Sequence, residues 1–251
     1  MTVSVAATSH RELDDARARH WEDPAGARDV ARRVQRLAHA DGELACRALA
    51  LSGLITLNHG DLQAALALAA QAERRAADGA AARCEVASLK ALLAFFSGSY
   101  TEALQQADAA VAIADEAGDL TLQVFARRMA CPVFGNLGVP DLGERFADAL
   151  ELSILDGDPW QEALSRNDVA CWHHEEGRVA EAEDELARGL ELAAPLERNR
   201  FLVGVLHATR ADIRLLASRP VEALADAEEA LAALIEHGEP NPYIFGVTVR
   251  A

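Results

Sequence analysis

Lysine is almost missing from this 251-residue chain: Lys90 stands alone against 23 arginines, a bias that reads as high-GC codon usage. Aromatics make up only 5% of the residues, and valine and isoleucine are sparse. With no alternating apolar pattern longer than a few residues, strands are excluded as the main structure. The four cysteines, Cys46, Cys84, Cys131 and Cys171, form no C-x-x-C pair. That argues against a zinc ribbon or a disulfide framework, and for buried free thiols in a reducing cytoplasm. No run is long and apolar enough to cross a bilayer, and the stretch from Met1 to Ala7 lacks the basic start and apolar core of a signal peptide. The sequence contains no G-x-x-x-x-G-K-S/T, no G-x-G-x-x-G, no H-E-x-x-H and no G-x-S-x-G. The expectation is a non-catalytic chain with no cofactor and no metal. Clustered cations are also wanting. The net charge is -16, with a balance of +1 over residues 1–40 and -17 over the rest, which argues against nucleic acid as a direct partner.

What the chain has in quantity is alanine and leucine, in a repeating order. Phe96-Ser97-Gly98-Ser99-Tyr100 reads as the end of one helix and a tight turn into a second. In that second helix Ala103, Ala107 and Ala110 share one face, where small side chains let another helix approach closely. Gly118 stops it. The same unit recurs after Gly60, Gly138, Gly177 and Ser218, so the five turn residues stand 38, 40, 39 and 41 positions apart. Seven residues before each turn lie Gly53, Ala91, Cys131, Ala170 and Ala211, all small, as expected where a helix must pack against the one that follows.

These units resemble tetratricopeptide repeats, although the period is near 40 rather than about 34 and the usual bulky aromatic early in the first helix is absent. The resemblance implies an all-α fold, a right-handed α-solenoid of TPR-like helix hairpins with about twelve helices. The expected organisation is one solenoid domain. It consists of an atypical capping hairpin at 1–40, five repeats at 41–78, 79–117, 118–156, 157–195 and 196–237, and the start of a further helix at 238–251.

Several stretches depart from the regular pattern. The first predicted helix runs from near Ser9 to His20, and Asp23-Pro24 and Asp158-Pro159 read as helix caps with proline in the first turn. Pro132 falls inside a predicted helix, where it predicts a kink, and Gly135, Gly138 and Gly143 loosen the same place. The stretch Cys171-Trp172-His173-His174-Glu175-Glu176 puts Cys171, His174 and Glu175 on one helix face. It lacks the ligand spacing of a zinc site and reads as a helix end whose His174 and Glu175 line a groove. The acids Glu222, Asp226, Glu228, Glu229 and Glu236 read as a solvated face. The apolar run from Tyr243 to Val249 reads as a helix without its partner, which suggests a chain that continues beyond Ala251 or a homodimer formed there.

The resemblance also implies a binding groove lined by the first helix of each hairpin. Carried over by distance from the turn residue, its candidate residues are Asn58, Phe95, Phe96, Arg128, Asn136, Asn167, His174, Glu175 and Asp212. Leu54, Leu57, Ser88, Leu92, Pro132, Gly135, Cys171 and Leu215 occupy the same rows. Lysine is missing from all of them, so the family's carboxylate clamp is not expected. The expected partner is a protein, a peptide or another segment of the same chain. Repeats of this long-period, Ala-, Arg- and Leu-rich type resemble those that precede diguanylate cyclase (GGDEF) domains in high-GC bacteria. A large transcriptional regulator or a free-standing scaffold is the alternative.

Overall fold

The computed structural model describes residues 5–37, 41–75, 78–197 and 199–237. Among them are twelve α-helices and no strand. The chain divides into two compact units, Met1–Leu137 and Gly138–Ala251. The first unit holds α1 (Val5–Ala18), α2 (Pro24–Leu37), α3 (Gly42–Asn58), α4 (Leu62–Arg74), α5 (Ala80–Phe96), α6 (Tyr100–Ala117) and α7 (Leu120–Leu137). The second holds α8 (Leu142–Asp156), α9 (Pro159–Glu175), α10 (Val179–Ala193), α11 (Arg200–Leu216) and α12 (Pro220–His237).

The packing in each unit is that of stacked hairpins. In the first, α3 pairs with α4 and α5 with α6, while α3, α5 and α7 also touch in series. In the second, α9 pairs with α10 and α11 with α12, and α9 touches α11. The contacts are built on alanine. Ala65, Ala69 and Ala72 of α4 and Ala103, Ala107 and Ala110 of α6 are buried. Gly53 serves the series contact: a Cβ there would stand 2.5 Å from Leu89 Cδ2 of α5, so the small residue makes room for the first helix of the next hairpin rather than for α4.

The five turn residues share one backbone conformation. Gly60, Gly98, Gly138, Gly177 and Ser218 all have positive φ. After four of them, Gly60, Gly98, Gly177 and Ser218, the next amide reaches back to close the helix, as in Ser99 N to Ala94 O at 2.8 Å, Arg178 N to His173 O at 2.8 Å and Arg219 N to Arg214 O at 2.8 Å. Ser218, at φ 60, is the one member with a side chain. Ser218→Gly should therefore raise stability by about 0.5–1 kcal/mol, seen as a higher urea midpoint at unchanged slope. An unchanged or lower midpoint would show that this turn carries no strain.

The irregular stretches resolve individually. α1 begins at Val5, earlier than the sequence predicts. The Asp23 carboxylate accepts from Gly26 N, and that of Asp158 from Trp160 N, each at 2.9 Å. α7 runs unbroken through Pro132, which is exposed between buried Cys131 and Val133. Gly143 does not loosen its helix. A Cβ there would lie 2.2 Å from the Trp172 ring of α9, so glycine is what admits the indole. The acidic face of α12 needs one correction: Asp226 is buried at 3% exposure and accepts from His207 Nδ1 at 2.9 Å, Arg210 Nη2 at 2.6 Å and Arg214 Nη1 at 2.7 Å. Burial pushes its carboxyl up, but the bonds from Arg210 and His207 and the arginine charges outweigh that and hold it below the usual range. Glu228 and Glu229 are exposed, and Glu222 pairs with Arg219; the Glu236 side chain and the run from Tyr243 to Val249 lie outside the described residues.

Candidate functional site

In the second unit, Trp160, Asn167 and His174 of α9 follow one another at seven-residue intervals, two helical turns apart, and so share one face. The Trp160 ring stacks on Phe201 of α11, with centroids 6.1 Å apart, which aims this face at the seam between α9 and α11. Each of the three carries a buried polar atom without a hydrogen-bond partner: Trp160 Nε1, Asn167 Oδ1 and His174 Nδ1. Such atoms cost about 1–3 kcal/mol each when left unmatched. Asn167 as a whole is only 9% exposed. Across the seam stands Asp212 of α11, whose carboxyl is pushed up by burial and partly restored by the neighbouring His174. Between Asn167 and His174 lies Cys171. Burial, and then the charges of Asp168, Glu175 and Asp212, push its thiol up to about 12. A thiol held in its protonated form is a poor nucleophile and a poor metal ligand. Among the described residues no group of three or more His, Cys, Asp or Glu is placed to hold a metal ion. His173 is turned aside and accepts from Arg178 Nε at 2.9 Å, while the Arg178 guanidinium lies over Trp172.

The structure thus sets Asn167 and His174 on one face of α9 and brings Asp212 near His174, with Glu175 exposed at the end of α9. The other candidates belong to the first unit. Phe95 and Phe96 meet edge to face at 5.4 Å, and Tyr100 completes an aromatic patch with Phe95 at 6.0 Å. Asn58 is half-buried at the end of α3, and Asn136 is exposed, donating to Pro132 O at 2.8 Å. Arg128 is half-buried on α7, and its charge is felt by His20.

A cluster that the sequence reading missed covers part of the α3–α5–α7 face in that unit. The occupant is α1. Arg17 donates to Glu85 of α5 at 2.7 Å and lies over the Phe125 ring of α7 at 4.6 Å. Arg47 of α3 donates to the same Glu85 oxygen from Nε at 3.0 Å and Nη2 at 2.8 Å, and to Asp14 of α1 at 2.5 Å. Arg17, Arg47 and Glu85 are all under 5% exposed. The signal was present in the sequence: Arg47 and Glu85 stand thirteen residues before their turn residues, a register at which the other three hairpins carry Phe125, Leu164 and Val205. Charge in an otherwise apolar row marks a place where something polar must dock.

No known family model matches the chain, and no curated protein matches it. Among solved structures it is similar to BtubC (BKLC) from P. vanneervenii, at 20% identity and TM-score 0.60, over 93% of this chain and 94% of that one. It is also similar to a Signal Transduction ATPase with Numerous Domains from Pyrococcus horikoshii that carries a tetratricopeptide repeat sensor, at 14% identity and TM-score 0.69, over 91% of this chain but 34% of that one. A third likeness is to NprR in complex with its cognate peptide NprX, at 13% identity and TM-score 0.61, over 89% of this chain and 66% of that one. At these identities the likeness is one of fold: the chain is an all-α solenoid of TPR-like helix hairpins.

Proposed function

We propose that this chain is a non-catalytic regulatory module that binds a protein or peptide segment along the α9–α11 face of its second unit. The observation that carries the reading is the row of three unmatched buried polar atoms on α9. A peptide backbone is their complement. Its N–H groups suit Asn167 Oδ1, and its carbonyls suit the Trp160 indole N–H. The likeness to a peptide-bound NprR and to a tetratricopeptide repeat sensor supports this class of partner. The first unit offers less of its own face, because α1 already lies on part of it. The long repeat period and the arginine- and alanine-rich composition support placing the module in a bacterial signalling chain, with a diguanylate cyclase as the first candidate and a large transcriptional regulator as the second. The free cysteines support a reducing, cytoplasmic setting.

A phage-displayed library of linear peptides, selected on the whole chain, tests the binding. The expected result is enriched sequences that bind the purified protein and lose about tenfold in affinity in Asn167→Ala, the worth of one buried hydrogen bond. Failure to enrich any sequence, or binding indifferent to both Asn167→Ala and Asp212→Ala, would remove the α9–α11 face as the site.

A further inference from the structure

The α9–α11 face of the second unit is acidic in a way that the rest of the repeat is not. Six residues before the turn, the first helices carry Leu54, Leu92, Pro132, Cys171 and Asp212, so Asp212 is the one charge in its row. Two residues before the turn they carry Asn58, Phe96, Asn136, Glu175 and Leu216, and Glu175 is again the one charge. These two carboxylates sit on α9 and α11, which touch. Both residues are exposed, and among the described residues neither makes an ion pair with an arginine. The arginines nearest them along the chain are held elsewhere: Arg210 by Asp226, Arg214 by Asp226 and Glu183, and Arg178 by His173 and the Trp172 ring. The thiols sense the same imbalance. Cys46 and Cys84 feel the charges of Arg47 and Arg17 as well as those of acids, whereas the charges acting on Cys171 are those of Asp168, Glu175 and Asp212.

Acidic side chains on a helix face are ordinarily just solvated. This face also carries a polar atom that solvent does not serve. Asn167 is 9% exposed, and its Oδ1 is buried without a hydrogen-bond partner. It stands one turn before Cys171 on the same side of α9, and an amide oxygen can only accept. The face therefore offers acceptors and negative charge, and its complement is a donor-rich, positively charged ligand. We propose that the segment bound along α9 and α11 carries an arginine or lysine whose charge is received by Asp212, with Glu175 adding to the negative field. This inference rests on the reading of the face as a peptide site and names what that peptide contains. An acidic side chain at the same place in the segment is repelled, so the site selects by charge as well as by backbone.

Two phage-displayed libraries of linear peptides, selected on the whole chain, test the charge. One contains arginine and lysine, and the other omits both. The expected result is binders from the first alone, sharing a basic residue at one position. A synthetic copy with citrulline for that arginine, or norleucine for that lysine, should bind about fivefold more weakly, the upper range for an ion pair that stays partly exposed. Asp212→Asn should cost the original peptide the same factor and the neutral copy nothing, with Glu175→Gln as a second, smaller effect in the same direction. Glu228→Gln removes an equal charge from an exposed place on α12 and should change neither. Equal losses in Asp212→Asn and Glu228→Gln would reduce the effect to bulk attraction and overturn the inference. Binders that weaken in Asn167→Ala but come from the library without basic residues, or ignore Asp212→Asn, overturn it too, and leave the peptide site standing. If neither library yields a binder, the peptide site falls and this inference with it.

Discussion

Glu85→Ala should destabilise the first unit by about 3–5 kcal/mol, the usual result of removing one partner from a buried ion cluster. Glu85 is 3% exposed and is the shared acceptor of Arg17 and Arg47. Without it the two buried guanidinium groups keep one carboxylate among their bonded partners, Asp14, which sits 3.4 Å from Arg17 and 2.5 Å from Arg47 and is itself partly exposed, besides the His10 ring 2.9 Å from Arg47 and the Phe125 ring under Arg17. The loss comes from charges left unmatched, not from the strength of the original pairs. Replacing all three members together, Arg17→Met, Arg47→Leu and Glu85→Leu, should cost far less, because the neighbouring register positions in other hairpins are already apolar. Amide hydrogen exchange of α3 and α5 measures both. A single variant that costs under about 1 kcal/mol would mean that water reaches the cluster. The same experiment reports on α1, whose hold on α5 and α7 runs through Arg17. In Arg17→Met alone, α1 should exchange faster.

Acidification should weaken the same unit over a window set by His20. Burial lowers the pKa of this imidazole from 6.5 to about 4, with the Arg17 and Arg128 charges acting in the same direction against its bond to the Arg17 carbonyl. Nδ1 donates to that carbonyl at 2.6 Å, and Nε2 is buried without a partner, so the ring is the neutral tautomer. In the unfolded chain the ring takes up its proton near pH 6.5; in the folded one it does so near 4. Between those values the unfolded state binds more protons, so stability rises with pH. It is complete above about 6.5 and falls by about 3 kcal/mol as pH drops towards 4. His20→Leu should flatten that slope in the first unit while leaving the separate loss in the second unit below pH 4, where Asp226 finally protonates and its stabilisation is lost. Urea titrations at a series of pH values show the slope. An unchanged slope in the variant would place the titrating group elsewhere.

The hairpins were legible because their causes are local and repeated. Turn residues that must adopt positive φ, and alanines spaced three and four apart, show themselves without tertiary context. Other features were not legible, because a residue's type does not state its neighbour. Gly143 carries no mark that a tryptophan from α9 will fill its place, and Asp226 looks like any surface acid until two arginines and a histidine from α11 converge on it. The α9 row was half legible. The groove offsets pick out Asn167 and His174, but Trp160 joins them only once Phe201 is seen against it.

The sequence by itself determined that this chain is a series of helix pairs with close alanine contacts, since periodicity, caps and turn chemistry act over a few residues. Only the tertiary structure decided that α1 lies across α3, α5 and α7, and which polar atoms on α9 are left without partners. Those outcomes depend on desolvation and on groups far apart in the chain. Arg17 and Glu85, 68 residues apart, form a buried pair only because three separate helices shut water out around them.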